Sequence, residues 1–539
     1  MIKEIKRMKA FGVFVFGILV VLGAAGSIPA EGKELLKSPS RVSVHDPSIV
    51  RAEDGTYYVF GSHLAGAKSW DLQNWTLLGS DYSNVTNNWI YGNVKQNLAK
   101  SFEWAGYNDG DCSGGKYAVW APDVIWNPYY VNKDGSKGVY MIYYSASSTW
   151  RRSCIGYGIS KNIEGPYTYV DTVIYSGFTK DGRTDGRSTR NTKWDNNYLN
   201  LKKLVQSKTL KNGISDRWFQ GNDWNHNYGP NAIDPTLFFD ASGQKLYMTY
   251  GSWSGGIYLL ELDQKTGQVI YPGTDAVDRV SNNYIDRYFG IHLAGGNHQS
   301  GEGPYITYDK ESEYYYLYET YGGLTANGGY NMRLFRSRNV TGPYLDGAGR
   351  NAADSGRNND QYGIKLIGNY RFKDGITGYK AAGHNSALIY NGQRYLVYHQ
   401  RFDQGSEYHE VRVHQQFLSQ TGWPVTAVYE NRNEMIEHYE DREILGSYEF
   451  CNHGQKTSSD MVQMENITLN ADGTIQGDRS GTFKKIRGDN YDYIVINMDG
   501  TQYQGVFFRQ KNVSKNPTQV MTFTAIGNNN TSVWGSKKE

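Results

Sequence analysis

The stretch His45-Asp46-Pro47-Ser48-Ile49-Val50, followed by Tyr57-Tyr58-Val59-Phe60, decides the fold because its pattern returns four more times along the chain. Each copy has a polar residue, an apolar run of strand length, a turn and a tyrosine-rich run. The other copies begin at Trp120-Ala121-Pro122-Asp123, Asn231-Ala232-Ile233-Asp234-Pro235, Gly301-Glu302-Gly303-Pro304 and Gly383-His384-Asn385-Ser386. The spacing of the two runs is that of a β-hairpin.

Consecutive copies lie roughly 70 to 110 residues apart, which is enough for a four-stranded antiparallel sheet and its loops. The 45 tyrosines and 62 glycines, with few helix-period segments, favour an all-β protein. We therefore predict a five-bladed β-propeller over 40–430. Short alternating strands such as 493–498 and 505–508 predict a second, smaller β domain over 436–539, either a barrel or a sandwich.

The chain begins with four basic residues, an apolar stretch at 10–25 and several small residues. This order is typical of a secretory signal peptide, which we assign to 1–30 and which predicts a secreted, extracellular protein. A retained membrane anchor is the alternative, although about 16 apolar residues are short for a membrane span. The three cysteines, Cys112, Cys154 and Cys451, cannot all pair within one chain, so the fold must be stabilised mainly by its core.

The overall charge argues against two classes of partner. A formal net charge of +2 gives no strong field toward nucleic acid or an anionic membrane. The aromatic content of 14% supplies enough apolar area for a folded core, which excludes a disordered chain. We expect a monomer with no nucleic-acid partner and no membrane association after removal of the signal.

The repeat is expected to aim one polar group per copy at the axis of a closed ring: Asp46, Asp123, Asp234, Glu302 and His384. Taken singly, an aspartate before proline is common in turns, and a lone histidine is more often structural. Taken together, crowded carboxylates raise the proton affinity of at least one of them. Two carboxyl groups with separate acid and base roles are what glycoside hydrolysis needs.

Tryptophans near the repeats favour a sugar substrate as well. Trp120 lies inside the second copy, and Trp253 lies in the Gly- and Ser-rich segment 251–256. An indole face stacks on the apolar face of a sugar ring, and ordinary packing in the core is the alternative reading. The flanking Gly and Ser residues favour an exposed ring at Trp253.

Six motifs together resemble glycoside hydrolase family 43, and within it the secreted endo-1,5-α-L-arabinanases. They are H-D-P-S at 45–48, W-A-P-D at 120–123, N-A-I-D-P at 231–235, G-E-G-P-Y at 301–305, G-G-Y-N-M-R-L-F-R-S at 328–337 and G-H-N-S at 383–386. The resemblance covers about 40–430 and implies a five-bladed propeller and hydrolysis with inversion. The tail is similar to the β-barrel of the longer arabinanases.

The resemblance also implies roles for individual residues. Asp46 matches the general base, Glu302 the general acid, and Asp234 the carboxylate that orients the acid and raises its pKa. His384 matches a histidine that holds a calcium ion in the central channel, which residue chemistry alone does not suggest because calcium prefers oxygen ligands. The expected substrate-binding set is Asn231, Ser252, Trp253, Trp120 and Asp123, the last in a supporting place.

The implied substrate is arabinan, which forms side chains of pectin, and the implied reaction is cleavage of internal α-1,5 links. Two alternatives stay open. The first is an exo-acting α-L-arabinofuranosidase or β-xylosidase on the same fold. The second is a carbohydrate-binding propeller without catalysis, which the presence of all three carboxylates disfavours.

An insertion at 176–228 departs from the family pattern. It carries ten Lys and Arg against four Asp and Glu between Lys180 and Arg217. We expect it to overhang the cleft, with a short helix within 197–210, and a closed cleft end would favour release of short products. Its positive charge predicts attraction to the acidic pectin backbone.

Overall fold

The computed structural model describes residues 39–79, 85–106, 117–147, 152–182 and 200–538. The predicted signal peptide, Cys112 and the segment 183–199 of the insertion lie outside these residues. Cys154 and Cys451 are buried free thiols. Within the described residues, no helix has the length and apolar character needed to cross a membrane.

β-Strands are the main regular secondary structure of the described chain, and the prediction of an all-β fold is confirmed. Four sheets have four strands each, and their strands pair in chain order. These strands are β1 (Ser48–Arg51), β2 (Tyr57–Gly61), β3 (Ala65–Ser69), β4 (Trp75–Gly79), β5 (Val119–Val131), β6 (Lys137–Ala146), β7 (Ser153–Ser160), β8 (Thr168–Ser176), β18 (Glu302–Asp309), β19 (Tyr314–Tyr321), β20 (Asn331–Ser337), β21 (Ile364–Lys365), β22 (Tyr379–Tyr390), β23 (Gln393–Phe402), β24 (His409–Leu418) and β25 (Pro424–Thr426).

A larger, seven-stranded sheet lies between the second and third of these in chain order, in the strand order β11-β12-β13-β17-β16-β15 with β14 also paired to β13. Its strands are β11 (Thr236–Phe239), β12 (Leu246–Tyr250), β13 (Ile257–Leu262), β14 (Val269–Ile270), β15 (Ala276–Val277), β16 (Tyr284–Asp286) and β17 (Gly290–Ala294). We number these five sheets first to fifth in chain order, so this sheet is the third.

The first strands of the five sheets contact one another in a closed cycle. Strand β1 contacts β5, β5 contacts β11, β11 contacts β18, β18 contacts β22, and β22 contacts β1. The N-terminal ends of these strands carry the five repeat motifs. The cycle therefore collects the motifs around one centre, which is the placement that the repeat predicts.

Turn chemistry explains the hairpins. In the β1–β2 turn, Gly55 has φ +95°, and the Thr56 N–H donates to Asp54 Oδ1 at 2.9 Å. The β11–β12 turn repeats this design with Gly243 at φ +68° and with Asp240 Oδ1 accepting from the Gln244 N–H at 3.0 Å. A glycine in the left-handed region and an aspartate that binds its own turn are the residues such turns require.

The C-terminal domain is a closed eight-stranded barrel, which decides between the two predicted forms. Its interior is filled by Phe507, Phe523, Ile494 and Ile496, all fully buried. The strands are β26 (Gly446–Asn452), β27 (Glu465–Leu469), β28 (Thr474–Gly477), β29 (Gly481–Arg487), β30 (Asp492–Met498), β31 (Thr501–Lys511), β32 (Gln519–Gly527) and β33 (Ser532–Lys537).

Helices are few and short in the described residues. They are α1 (Val94–Asn97), α2 (Ala99–Ala105), α3 (Leu201–Gln206) and α4 (Asp441–Ile444). The short helix predicted in the insertion is confirmed as α3, with Leu201 buried and Val205 at the surface. The described part of the insertion also holds a small hairpin of β9 (Phe219–Gln220) and β10 (Asp223–Trp224).

Candidate active site

One backbone feature recurs at or near the start of four first strands and inside the fifth, β22. Asp46, Ala121, Asp234, Gly303 and His384 all have positive φ, of 54°, 37°, 56°, 57° and 48°. Residues other than glycine rarely adopt this conformation, and where they do they cluster at functional sites. The ladder with the second strand resumes two residues later, at Ser48, Asp123, Thr236, Tyr305 and Ser386.

Four of these five residues are tied to the preceding sheet of the cycle by their peptide N–H. The N–H of Asp46 donates to His399 Nδ1 at 3.2 Å, that of Ala121 to Ser62 Oγ at 2.8 Å, that of Asp234 to Ser145 Oγ at 3.0 Å and that of His384 to Thr320 Oγ1 at 2.8 Å. The fifth, Gly303, donates instead to Asp234 Oδ2 at 3.2 Å. These bonds hold the strained residues in place.

The shared position corrects the expectation that all five polar groups lie at equivalent places in the repeat. Asp46, Asp234 and His384 are equivalent, but Glu302 lies one residue before the shared position and Asp123 lies two residues after it. Three of the strands show the same register shift, between Trp120 and Asp123, between Glu302 and Tyr305 and between Gly383 and Ser386, so the shift marks the shared position and does not cause the offset. The five polar groups are therefore not all at one phase of the repeat.

Asp123 lies away from the other carboxylates and joins neighbouring sheets. Its side chain is 2% exposed, Ser48 Oγ donates to its Oδ1, and the Leu237 N–H donates to its Oδ2 at 2.6 Å. Burial raises the pKa of Asp123 to about 7 against these hydrogen bonds. Each oxygen accepts one hydrogen bond, from the first sheet and from the third, so Asp123 links the first strands of neighbouring sheets.

Asp46 is surrounded by imidazoles, and we call this group, with His45, His384 and His399, the histidine corner. His45 Nδ1 lies 2.8 Å from Asp46 Oδ2, and His384 Nδ1 lies 3.1 Å from Asp46 Oδ1. The Ser62 hydroxyl donates to the same Oδ2 that His45 contacts. Oδ2 of Asp46 therefore accepts a hydrogen bond, whereas Oδ1 faces His384 without a hydrogen bond among the described residues.

These neighbours decide the ionisation of Asp46. Burial alone would raise its pKa, but the interactions with His384, His45 and His399, including the hydrogen bond from His45, outweigh burial. The pKa of Asp46 is held well below its ordinary value. At neutral pH the histidine corner therefore holds an ionised carboxylate.

Asp234 and Glu302 form the opposite side, which we call the carboxylate corner. Asp234 is 5% exposed, and its burial, followed by repulsion from Glu302 and then from Asp46, raises its pKa well above the ordinary value. The hydrogen bond from the Gly303 N–H opposes the shift. One proton therefore stays in this corner at a pH where an ordinary carboxyl has lost it.

Glu302 is the most exposed of the three carboxylates, since it is only partly buried. Its Oε2 accepts from Trp253 Nε1 at 2.9 Å and from Ser252 Oγ at 3.1 Å, and its Oε1 accepts from the Tyr330 hydroxyl at 2.7 Å. These three donors hold both carboxylate oxygens of Glu302. Glu302 is thus held in one orientation at a partly exposed position.

Comparison with known proteins identifies the family. Residues 203–424 match the model of glycosyl hydrolases family 43, and residues 428–535 match its C-terminal lipocalin-like domain. The chain is 37% identical, over 97% of its length and 98% of the relative, to extracellular endo-α-(1→5)-L-arabinanase 2 of Bacillus subtilis. The chain belongs to glycoside hydrolase family 43.

Solved structures of similar family 43 chains cover the same length. A family 43 glycoside hydrolase of Bacillus licheniformis has 37% identity and a TM-score of 0.74, over 93% of this chain and 99% of the other. The endo-1,5-α-L-arabinanase of Thermotoga petrophila has 33% identity and a TM-score of 0.76, over 93% of this chain and all of the other. This family 43 enzyme therefore shares both of its domains with them.

Among the described residues, one cluster combines side chains of the types that bind metals. His45, Asp46 and His399 place potential ligand atoms within 4.8 Å of one another. These atoms are already engaged, since His45 Nδ1 contacts Asp46 Oδ2 and His399 Nδ1 accepts from the Asp46 N–H. This cluster is thus a hydrogen-bonded group rather than a vacant ligand set.

His384 packs directly on the strand that carries Glu302. A Cβ at Gly303 would lie 2.9 Å from His384 Cγ, so only glycine at this positive φ lets the imidazole approach. The ring presents Nδ1 to Asp46, which leaves Nε2 as the ring atom for another partner. Beside it, both side-chain polar atoms of Asn385 are buried and without a partner among the described residues.

The expected substrate-binding residues are spread around these corners. Ser252 and Trp253 both donate to Glu302, and Asn231, 5% exposed, lies within 3.5 Å of Ser176 Oγ. Trp120 is partly buried and packs against the core of the second sheet. The structure thus brings Ser252 and Trp253 to Glu302, whereas Asn231 contacts Ser176 and Trp120 packs against the core.

Sequence reasoning missed several residues of the site. His45 and Tyr330 lie inside the quoted motifs H-D-P-S and G-G-Y-N-M-R-L-F-R-S, so the motif itself was the available signal. His399 and Ser62 come from the second strands or their ends, where no repeat pattern marks them. Glu319 was also missed, although it is fully buried with both oxygens lacking a hydrogen-bond partner in the described structure.

Proposed function

We propose that this enzyme is a secreted endo-acting arabinanase that cleaves internal α-1,5-L-arabinofuranosidic bonds of arabinan with inversion. The observation that supports this most is the grouping of three interacting carboxyl groups, in which Asp46 is held ionised while Asp234 and Glu302 together retain a proton. The substrate is inferred from the names of the relatives, which share 35–37% identity over nearly the whole chain.

The histidine corner supplies the base. Asp46, kept ionised by its neighbours, takes a proton from a water molecule as the water oxygen bonds to the anomeric carbon. The glycosidic C–O bond breaks in the same step, and Glu302 gives its proton to the leaving oxygen. The water attacks from the face opposite the leaving group, so the product has inverted configuration.

The carboxylate corner supplies the acid. The raised pKa of Asp234 keeps a proton beside Glu302, and repulsion between the two carboxyls disfavours loss of that proton. Glu302 is the member exposed to the cavity, so it is the donor in this proposal. Asp234, bonded to the Gly303 N–H next to Glu302, orients the acid.

We propose that the sugar units contact Asn231, Ser252, Trp253 and Trp120. The Trp253 ring is partly buried, and its Nε1 donates to Glu302, so a sugar stacked on this ring would lie beside the acid. Tyr330 adds a hydroxyl on the other oxygen of Glu302. These contacts would set the orientation of the leaving group.

We also propose a calcium ion at His384. The residues present fit such an ion through the available Nε2 of His384 and the unpartnered Asn385 Oδ1, with water as the remaining oxygen ligands. Calcium held there would add positive charge beside Asp46, which stabilises an ionised carboxylate. His384 itself contacts Asp46, so it also orients the base.

We also propose the number of propeller blades, the export of the enzyme and its oligomeric state. The closed cycle of first strands supports a propeller with five blades, one per sheet. The relatives' names support an extracellular enzyme, and the N-terminal segment is proposed as the signal that exports it. We propose that the enzyme acts as a monomer on the arabinan side chains of pectin.

The decisive experiment replaces Glu302 by Gln and measures hydrolysis and binding of linear arabinan. Hydrolysis should disappear while binding of arabino-oligosaccharides is largely kept, and retained turnover would exclude Glu302 as the acid. With wild-type enzyme, early products of intermediate size would support endo action, whereas arabinose alone would favour the exo-acting alternative. Proton NMR of the first products should show the inverted anomer.

A further inference from the structure

A buried arginine lies behind both corners of the cavity. Arg401, near the end of β23, has a side chain that is 4% exposed. Its Nε donates to the Leu324 carbonyl at 2.7 Å, one terminal nitrogen donates to the Glu407 carbonyl, and the other lies 3.1 Å from His45 Nε2. Its guanidinium therefore reaches three separate segments of the chain.

The contact with His45 determines which imidazole nitrogen carries the hydrogen. A guanidinium only donates, so His45 Nε2 must accept, and Nδ1 must be the protonated atom. Nδ1 is the atom 2.8 Å from Asp46 Oδ2. The arginine thus selects the form of His45 that donates to the base.

The His45 ring is also fixed by its neighbours. It stacks on His399 with ring centres 4.0 Å apart and an angle of 25°, and it meets the edge of His409 at 5.0 Å. His399 in turn accepts the peptide N–H of Asp46 at 3.2 Å. The ring has one available orientation, and in it Nδ1 faces Asp46.

The other contacts of Arg401 reach the acid side. Leu324 belongs to the turn between β19 and β20, which ends at Tyr330. Glu407, whose carboxylate lies 3.3 Å from Arg401 Nε, accepts the Ala326 N–H of the same turn at 3.0 Å. Tyr330 donates to Glu302 at 2.7 Å. The Arg401–Glu407 pair therefore holds the turn that carries the Glu302 partner.

We propose that Arg401 is a positioning residue for both catalytic carboxylates. Through His45 it fixes the donor to Asp46, and through the β19–β20 turn it fixes Tyr330 against Glu302. The inference rests on the proposed roles of Asp46 and Glu302. Arg401 contacts neither carboxylate directly, so its effect is on their geometry and not on the substrate.

The first test compares Arg401→Lys with Arg394→Lys. Arg394 is a matched control because it is buried on the same strand, β23, where its guanidinium binds Asp309 at 2.6 and 3.0 Å. A lysine keeps the charge but cannot reach several partners as a fork. We expect kcat of the Arg401 variant on linear arabinan to fall about 10- to 100-fold, the range for losing a hydrogen bond to a charged group, with KM within about threefold.

The control variant should keep the wild-type kcat even where its urea unfolding midpoint drops as much as that of Arg401→Lys. Equal kcat values for the two variants would overturn the proposal. A rise in KM without a fall in kcat for Arg401→Lys would overturn it as well, because it would place Arg401 in substrate binding.

The second test uses rescue at His45. In His45→Asn the amide nitrogen can take the place of Nδ1 and donate to Asp46, whereas His45→Leu has no donor. We expect kcat of the leucine variant to fall as far as that of Arg401→Lys, and the asparagine variant to recover at least tenfold over it. Wild-type kcat in His45→Leu would overturn the proposal.

The failure of this inference can be told apart from failure of the proposed function. An inactive Asp46→Asn enzyme together with fully active Arg401→Lys and His45→Leu enzymes would reject only the positioning role. An Asp46→Asn enzyme with wild-type turnover would reject the base assignment itself, and the positioning proposal would fall with it.

Discussion

The histidine corner and the carboxylate corner bury their carboxyl groups to the same degree but drive them in opposite directions. Asp46 is 8% exposed and Asp234 is 5% exposed, and burial raises the pKa of both. At Asp46, the three histidines outweigh burial, so the pKa falls. At Asp234, repulsion from Glu302 and Asp46 adds to burial, so the pKa rises. Equal burial thus leads to opposite proton occupancy because the neighbours differ.

The backbone is what makes this contrast possible. Asp46 and Asp234 occupy equivalent positions, with φ of 54° and 56°, at the start of their first strands. The N–H of each is bound by a side chain of the preceding sheet, His399 in one case and Ser145 in the other. The repeat supplies one geometry twice, and the side chains from neighbouring sheets separate the two roles.

The largest expected effect comes from comparing Asp46→Asn with Glu302→Gln on two substrates. On linear arabinan, each variant should lose about 10²- to 10⁴-fold or more in kcat/KM, the range for removing a general base or acid. On the 2,4-dinitrophenyl glycoside of arabinotriose, whose leaving group needs no proton, Glu302→Gln should regain most of its rate. Asp46→Asn should not, because water still needs a base. Initial rates on the two substrates give the comparison.

Equal recovery of both variants on the activated substrate would break the distinction between the two corners. Both variants preserve side-chain shape, and their urea unfolding midpoints provide the check that the fold is retained.

A smaller effect is expected from removing one donor of the carboxylate corner. Tyr330→Phe keeps the ring that stacks on His399 at 5.7 Å but loses the hydroxyl that donates to Glu302 at 2.7 Å. We expect kcat on linear arabinan to fall about 10- to 100-fold with little change in KM. The matched control is Tyr318→Phe, which loses a hydrogen bond to Gln416 Oε1 on β24 of the fifth sheet without touching the site. Similar kcat values in both variants would remove Tyr330 from the acid side.

The sequence predicts where the carboxyl groups of the two corners lie, because these residues belong to the repeated motifs. The five copies place Asp46, Asp234 and the segment of Glu302 at strand ends around one cycle, because hairpin spacing and radial repetition follow from local pattern. The all-β fold, the barrel and the family are confirmed in the same way. The roles of individual residues stay predictions from the resemblance.

The remaining part depends on contacts that no local pattern marks. His399, Ser145 and Thr320 come from second strands of neighbouring sheets, and Arg401 reaches His45 across 356 positions in the chain. The offset of Glu302 and Asp123 is defined only against the bulges that mark the shared position, and bulges have no sequence signature. Pairing across sheets therefore decides the ionisation, and it becomes visible only in three dimensions.

Glu319 allows a test of burial without neighbouring charges. It is fully buried with no hydrogen-bond partner in the described structure, and burial raises its pKa from 4.5 to about 8. Between these values the folded protein keeps the proton while the unfolded chain loses it, so stability should fall with rising pH by about 1.4 kcal/mol per unit. The loss should level off above about pH 8.

Glu319→Gln should remove this slope, because the amide does not titrate. Urea unfolding at pH 5, 6, 7, 8 and 9 measures it, and the variant should gain stability relative to wild type as pH rises, most clearly at pH 8 and 9. Parallel curves for the two proteins would mean that Glu319 is compensated in solution. Glu319 would then no longer serve as the example of burial acting alone, against which Asp46, where partners outweigh burial, is compared.

The smallest effect is expected at Asp123, a buried aspartate that belongs to neither corner. Asp123→Asn leaves one acceptor for two donors, Ser48 Oγ and the Leu237 N–H, because the amide nitrogen can only donate. One buried donor loses its partner, which should cost about 1–3 kcal/mol of unfolding free energy in urea. Because Asp123 joins the first and third sheets behind the cavity, kcat and KM on linear arabinan should stay within about twofold. A tenfold rise in KM with unchanged stability would instead place Asp123 on the substrate and extend the carboxylate corner to a third acidic residue.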